Sequence, residues 1–319
     1  YPMNIVFLDG YTINPGDLTW QPLEALGHLT VYDRTEPDEV LQRAAGAEVL
    51  IVNKTCLTAD HFEALKSLKL VCVAATGYDR IDTAAARRQG VVVCNCAGYS
   101  SLSVAQMVVS LLLEAFDSVG FYAEQNRRGA WSGSPDFCYT VKPRVELAGK
   151  RMAIVGFGNI GRTVARIMQA FGMQLFAVSS KEAHELPDGV QKITLDEAFA
   201  TCDIVSLNCP LTPQNRGFVN AGLLARANPC LVLVNTARGA LVDEQAVAGA
   251  LSQGWLGAYC TDVLTQEPPA PDCPLLSAPN CYITPHIGWD TIEARRRILD
   301  ILADNIRAFQ SGSPVSVVN

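Results

Sequence analysis

Short apolar runs alternate with amphipathic stretches along the first third of the chain. Residues 5–8, 49–52, 70–74 and 91–93 are continuous apolar runs of strand length. Stretches of helical period lie between them, such as 60–68 and 82–89, the latter with Asp82 as cap and Gly90 as stop. This alternation predicts a mostly parallel sheet with helices on both faces. A longer apolar helix is expected over 101–123, with Val104, Met107, Val108, Leu111, Leu112 and Ala115 as its buried stripe. Residues 124–148 are polar, aromatic and broken by glycine, as in Trp131-Ser-Gly-Ser-Pro135. They read as an arm or loop and as an oligomer contact. Strand signals then recur at 152–155, 175–178, 204–207, 231–235, 257–261 and 282–284. Helical segments lie between these, capped for example by Asn220 and Asp243. About six strands make a complete doubly wound nucleotide domain. The last helix is expected to start at Asp290, with Glu293 completing a capping box. Its apolar face is Ile292, Leu299, Leu302, Ile306 and Phe309, and it can return the chain to the first domain, which is then discontinuous.

The strand at 152–155 runs into Gly156-Phe-Gly158-Asn-Ile-Gly161. From Asn159 the period turns helical, with Ile160, Val164, Ile167 and Met168 in register and Gly172 as stop. Strand, glycine turn and helix form the context a dinucleotide fingerprint needs. The first glycine makes the turn, the second lets backbone approach a pyrophosphate, and the third lets helix and strand pack closely. Phosphate would sit on the N–H groups at the helix start, where the dipole favours anions. The first strand of the chain has no such turn after it, so the first unit is not the cofactor domain.

The totals narrow the partners. The chain has 319 residues, 49% of them hydrophobic and 18% charged, enough for two domains with large cores. A net charge of −7 argues against nucleic acid or an anionic membrane as partner. No apolar run reaches the roughly 18 residues of a membrane span. No secretory signal is read before Met3, and Tyr1-Pro2 reads as an added dipeptide. Eleven cysteines, with no CxxC pair, read as free thiols of a reducing cytoplasm with no metal site.

Three polar residues follow strand signals in the second half. Arg238 follows 231–235, Glu267 follows 257–261 and His286 follows 282–284. Ligands of open α/β sheets bind beyond the carboxyl ends of strands. Reducing a keto acid requires a proton for the carbonyl oxygen, and histidine is the usual carrier near neutral pH. A carboxylate beside it would orient the ring and stabilise the imidazolium. Arg238 offers a planar fork to a carboxylate. Taken singly, Arg238 also fits a loop ion pair, Glu267 a solvated loop carboxylate and His286 a strand-end bond to backbone. His28, His61 and His184 read as structural.

The chain resembles the D-isomer-specific 2-hydroxyacid dehydrogenases, and most closely their glycerate dehydrogenase/hydroxypyruvate reductase branch. The resemblance spans nearly the whole chain. It is carried by Ala75-Thr-Gly-Tyr-Asp-Arg-Ile-Asp82, Asn95-Cys-Ala-Gly-Tyr-Ser100, the glycine turn, Val234-Asn-Thr-Ala-Arg-Gly-Ala-Leu-Val-Asp243 and Pro285-His-Ile-Gly-Trp289. It implies an α/β protein of two doubly wound parallel-sheet domains. A flavodoxin-like substrate domain (1–101 plus 292–319) would flank a central Rossmann cofactor domain (102–291), with the site in the cleft. It implies Arg238 on the substrate carboxylate and carbonyl, His286 as acid/base and Glu267 as its partner. Thr76, Gly77 and Tyr78 would offer N–H groups to the carboxylate. Asn159 and Ile160 would hold the pyrophosphate beside Gly156, Gly158 and Gly161. Cys209 and Pro210 would line the adenosine side, Asp262 would take the carboxamide, and Thr236 and Gly288 would lie near the nicotinamide. A homodimer is expected, along with a small-molecule substrate such as hydroxypyruvate or glyoxylate.

Two positions depart from the family pattern. An acidic residue about 20 positions past the fingerprint marks the NAD type. Here Ser179, Ser180 and Lys181 stand there, so either NAD(H) or NADP(H) is expected, with NADP(H) favoured. Ser179 on the ribose with a solvated Lys181 is the other option, and Glu182 next door is in keeping with it. Arg80 stands where asparagine is frequent. The competing functions are an NAD(H)-sensing corepressor-like protein and a formate or phosphite dehydrogenase.

Overall fold

The computed structural model describes residues 2–319. The chain forms two compact units, one running to Ser100 and taking up Trp289–Asn319, the other Ser101–Gly288. The first holds strands β1 (Met3–Phe7), β2 (Gly27–Val31), β3 (Val49–Val52), β4 (Leu70–Val73) and β5 (Val92–Cys94). They are all parallel, in the order β2-β1-β3-β4-β5, which is the flavodoxin-like winding. Val6, Leu50, Val52, Val71 and Val73 face one core, and Ile5, Phe7, Val49, Ile51 and Cys72 face the other. Strands buried on both faces need continuous apolar runs, which is why they were visible in the sequence. The second core is closed by Ile298, Leu299, Leu302 and Ile306 of the helix Ile292–Gln310.

That helix starts later than expected. Its cap is Thr291, whose hydroxyl accepts from Ala294 N–H, and not Asp290. The Asp290 carbonyl instead accepts from Arg295 Nε at 2.8 Å. The buried Arg295 guanidinium also makes a fork on Asp17, both contacts at 2.7 Å, and so ties the helix to the loop after β1. The end of the chain lies along β5, where Val318 N donates to Val93 O and Asn319 Oδ1 accepts from Val93 N.

The second unit holds β6 (Arg151–Val155), β7 (Gln174–Val178), β8 (Val190–Lys192), β9 (Ile204–Leu207), β10 (Val232–Asn235), β11 (Ala258–Thr261) and β12 (Cys281–Ile283). These seven parallel strands run β12-β11-β10-β9-β6-β7-β8. This is a six-strand nucleotide fold with one strand added beyond the six expected. The order reverses between β6 and β9, so the crevice for a ligand opens beside the glycine turn. The helix expected over 101–123 is two helices, Ser101–Asp117 and Val119–Arg127, broken at Ser118 with φ +53°. Glu114 supports the break, since its carboxylate accepts from Gly120 N at 3.0 Å. Within the stripe, Val104, Val108, Leu111 and Leu112 are buried, while Met107 and Ala115 are only half-buried. Residues 128–148 have no helix or strand but are internally bonded, with Trp131 Nε1 on Phe137 O and Tyr139 Oη on Asn126 Oδ1. Phe137 is 90% exposed.

Candidate active site

Each glycine of the turn meets a different neighbour. Gly156 has φ +91°, and a Cβ there would lie 2.6 Å from Cys209 N. A Cβ on Gly161 would lie 2.3 Å from Gly156 O, so helix and strand touch at that point. Gly158 is different: nothing lies within 4 Å of where its Cβ would be. It caps the helix Asn159–Ala170, and no side chain bonds the first amides of that helix. Nearby, at the ends of β9 and β10, Asn208 Nδ2 and Thr236 Oγ1 are the buried polar side-chain atoms without a hydrogen-bond partner among the described residues. An open glycine, uncapped helix amides and unpartnered polar atoms along one rim fit a dinucleotide with a pyrophosphate. Cys209 is half-buried and Pro210 exposed on the same rim.

Past β7, Lys181 N donates to Ser179 Oγ at 3.1 Å, and Ser180 is exposed. The Glu182 carboxylate lies 3.9 Å from Lys192 Nζ. Among the described residues Lys181 has no carboxylate within ion-pair distance.

Arg238 sits on a turn that Asn235 holds from within. The fully buried Asn235 amide donates to Arg238 O at 2.9 Å and to Tyr259 Oη at 3.2 Å, and its Oδ1 accepts from Ala237 N at 3.1 Å. The guanidinium Nη1 donates to Ala237 O at 2.8 Å, which sets its fork relative to the turn. Gly239 then presses on the loop that carries Glu267: a Cβ there would lie 2.0 Å from the carbonyl carbon of Leu264.

Glu267 and His286 meet directly, with Oε2 2.7 Å from Nδ1. The other carboxylate oxygen accepts from Leu264 N at 3.0 Å. His286 has φ +56°, a conformation L-residues adopt at a cost. Asp262 supports it. One oxygen of this buried carboxylate accepts from Thr284 Oγ1 at 2.6 Å and Ile287 N at 2.9 Å, and the other from Gly288 N at 2.8 Å. Both sides of the histidine are thus tied to one anion. The resemblance implied Asp262 as a carboxamide ligand; here its oxygens already hold the histidine loop. Gly288 is required by closeness, as its Cβ would lie 2.9 Å from Asp262 Oδ2.

The remaining residues implied for the substrate belong to the first unit. Thr76 is pinned on both sides, Oγ1 donating to Cys96 O at 3.0 Å and its carbonyl accepting from Asn95 Nδ2 at 2.8 Å. Gly77 and Tyr78 follow, with Tyr78 39% exposed. Arg80 keeps the loop in place through its carbonyl, which accepts from Leu57 N at 3.0 Å.

Residues 109–288 match the family model described as D-isomer specific 2-hydroxyacid dehydrogenase, NAD binding domain. The chain belongs to the D-isomer-specific 2-hydroxyacid dehydrogenase family. It is 40% identical to a hydroxypyruvate reductase of Blautia hydrogenotrophica, covering 99% of this chain and 100% of that one. It is 36% identical to a glycerate dehydrogenase of Methylorubrum extorquens, over 98% of each chain. Among solved structures, an acyclic imino acid reductase in complex with NADPH and D-Arg superposes with a TM-score of 0.86 at 29% identity, covering 99% of this chain and 100% of that one. This D-2-hydroxyacid dehydrogenase is a nicotinamide-dependent oxidoreductase that interconverts 2-keto acids and D-2-hydroxy acids.

Several residues that build this dehydrogenase's site carried no local signal. Tyr259 and Thr284 act through partners more than twenty residues away, and Asn235 holds the nearby Arg238 turn but is itself fixed by Tyr259, so no spacing rule reaches them. Gly239 lies next to Arg238, but its need for a bare backbone appears only where Leu264 meets it.

Proposed function

We propose that this enzyme reduces hydroxypyruvate or glyoxylate to D-glycerate or glycolate, and accepts NADPH as well as NADH. The His286–Glu267 pair, 2.7 Å apart, carries the reading of the chemistry. The names of the full-length relatives support the substrate class. Arg238 takes the substrate carboxylate with its fork and polarises the carbonyl; the amides of Thr76, Gly77 and Tyr78 are the carboxylate donors that the family resemblance implies for the first unit. With Nδ1 on Glu267, the proton goes to the carbonyl oxygen from His286 Nε2. Glu267 holds the ring in the orientation that presents Nε2 to the carbonyl oxygen. The reduced nicotinamide, when bound, supplies the hydride. Asn159 and Ile160 hold the pyrophosphate by backbone, Cys209 and Pro210 flank the adenosine, and Thr236, Asp262 and Gly288 border the nicotinamide.

Ser179, Ser180 and Lys181 receive the ribose end. No acid stands at 179–181, the Glu182 carboxylate lies 3.9 Å from Lys192 Nζ, and Lys181 attracts a 2′-phosphate. Residues 124–148, with Trp131 and Phe137 exposed, support a homodimer contact. Initial rates over a panel of 2-keto acids, with formate and phosphite as controls, test this with both cofactors. Turnover of hydroxypyruvate or glyoxylate is expected, with kcat/KM for NADPH at least equal to that for NADH. No turnover of either acid would sink the substrate assignment, and a strong NADH preference would sink the role of Lys181.

A further inference from the structure

The segment between β11 and β12 carries both Asp262 and Glu267. Glu267 is held by its own loop, through Leu264 N. That bond positions the carboxylate only if the backbone at 264–265 is itself fixed. Gly239 blocks movement toward the Arg238 turn, where a Cβ would lie 2.3 Å from Thr265 N. The pull from the same side comes from Glu244. Its Oε1 accepts from Thr265 N at 2.7 Å, and its Oε2 lies 3.9 Å from Cys273 Sγ further along the segment. Glu244 is the first residue of the helix Glu244–Gln253, and the capping bond of that helix is made by Asp243 on Ala246 N at 3.1 Å. The Glu244 carboxylate is therefore not engaged in that cap. It spans from the helix that follows the Arg238 turn to the loop that carries Glu267.

We propose that Glu244 is a positioning residue for the reaction: it holds the 264–267 loop so that Glu267 meets His286, and it couples this pair to the Arg238 arm. The proposal rests on the acid/base roles given above. Thr265 N is near the surface, so water can replace Glu244 there without leaving a buried amide unpaired. Losing Glu244 therefore costs placement more than stability, and small misplacements near a reacting centre are costly, up to about 10²-fold for ~1 Å.

The test compares Glu244→Ala, Glu244→Gln and Glu267→Gln, singly and with Glu244→Ala added to Glu267→Gln. Glu244→Met, which keeps the stem, replaces Ala if that variant folds poorly. Glu244→Ala is expected to lower kcat about tenfold, to leave the KM for keto acid and the fluorescence Kd for NADH within about twofold, and to speed amide exchange at 264–267. Glu244→Gln, which keeps an acceptor oxygen, restores both. In the Glu267→Gln background Glu244→Ala adds no further loss, because both act through one pair. Wild-type kcat in Glu244→Ala, or losses that multiply in the double variant, would overturn the proposal. If Glu267→Gln itself leaves kcat unchanged, the acid/base reading has failed instead.

Discussion

Gly158→Ala separates the cost of a methyl group to the fold from its cost to the ligand. The backbone at Gly158 is extended, with φ −85° and ψ −154°, which alanine adopts freely. No atom lies within 4 Å of the new Cβ. Alanine is a poorer helix cap than glycine, but it also restricts the unfolded chain by about 0.4–1 kcal/mol, so stability should stay within about 1 kcal/mol of wild type. The open space is where an anion must approach the helix amides. Losing one charge-assisted hydrogen bond costs about 1.5–3 kcal/mol, equal to roughly 10- to 150-fold in Kd. Gly161→Ala is the control with the opposite profile, since its Cβ would lie 2.3 Å from Gly156 O. Forced overpacking costs about 1–3 kcal/mol, or roughly 3–10 °C of Tm in a unit of this size. Thermal unfolding without cofactor and fluorescence titration with NADH and NADPH measure both. If Gly158→Ala binds as tightly as wild type, the space at Gly158 does not serve a pyrophosphate and the fit derived for this rim is wrong.

Other substitutions probe the remaining parts. His286→Ala should lower kcat by about 10² to 10⁴, the range of acid/base work, and an unchanged rate would remove it from the proton path. Arg238→Lys should raise KM for the acid roughly tenfold or more while NADH binding holds, because a point charge cannot replace the fork; normal KM would refute its carboxylate role. Alkaline stability should follow the buried thiols. Burial pushes Cys94 up to about 11 and Cys96 up to about 12. A raised thiol is neutral in the folded state, so its contribution is complete below the ordinary thiol value of about 8.5 and is lost as pH climbs through the folded values. Tm should therefore hold to about pH 8.5 and then fall. Burial raises Cys72, Cys260 and Cys281 as well, so Cys94→Ala with Cys96→Ala should flatten the fall only in part, and an equally steep curve would exonerate these two thiols.

The interior strands could be located from sequence because both of their faces are buried. β3 is an uninterrupted apolar tetrad and β9 is broken only by the buried Ser206; both are bounded by polar residues, and their limits match the runs read from the sequence. β2 and β8 could not be located. Each is an edge strand, half-exposed or more and written in mixed residues, Gly-His-Leu-Thr-Val and Val-Gln-Lys. The break at Ser118 was also hidden, since the left-handed residue is itself a serine and the bond that supports it runs from Gly120 N to the Glu114 carboxylate one turn back. The glycine turn and the trio of Arg238, Glu267 and His286 could be picked out because strand ends and a named chemistry converge on them. The support that Asp262 gives the histidine loop, and the bond of Asn235 to Tyr259, could not, because those contacts exist only once the sheet has formed.

One consequence concerns synthesis on the ribosome. The first residues of the chain form a sheet whose second face is covered by Ile298, Leu299, Leu302 and Ile306, and whose β5 edge receives Val318. During translation the leading strands emerge long before their cover does. The middle of the chain, Ser101–Gly288, emerges with all of its own packing partners and can mature in the meantime. The sheet made before the middle unit is then finished after it, with an oily surface in the open that invites chaperone capture until the helix Ile292–Gln310 arrives.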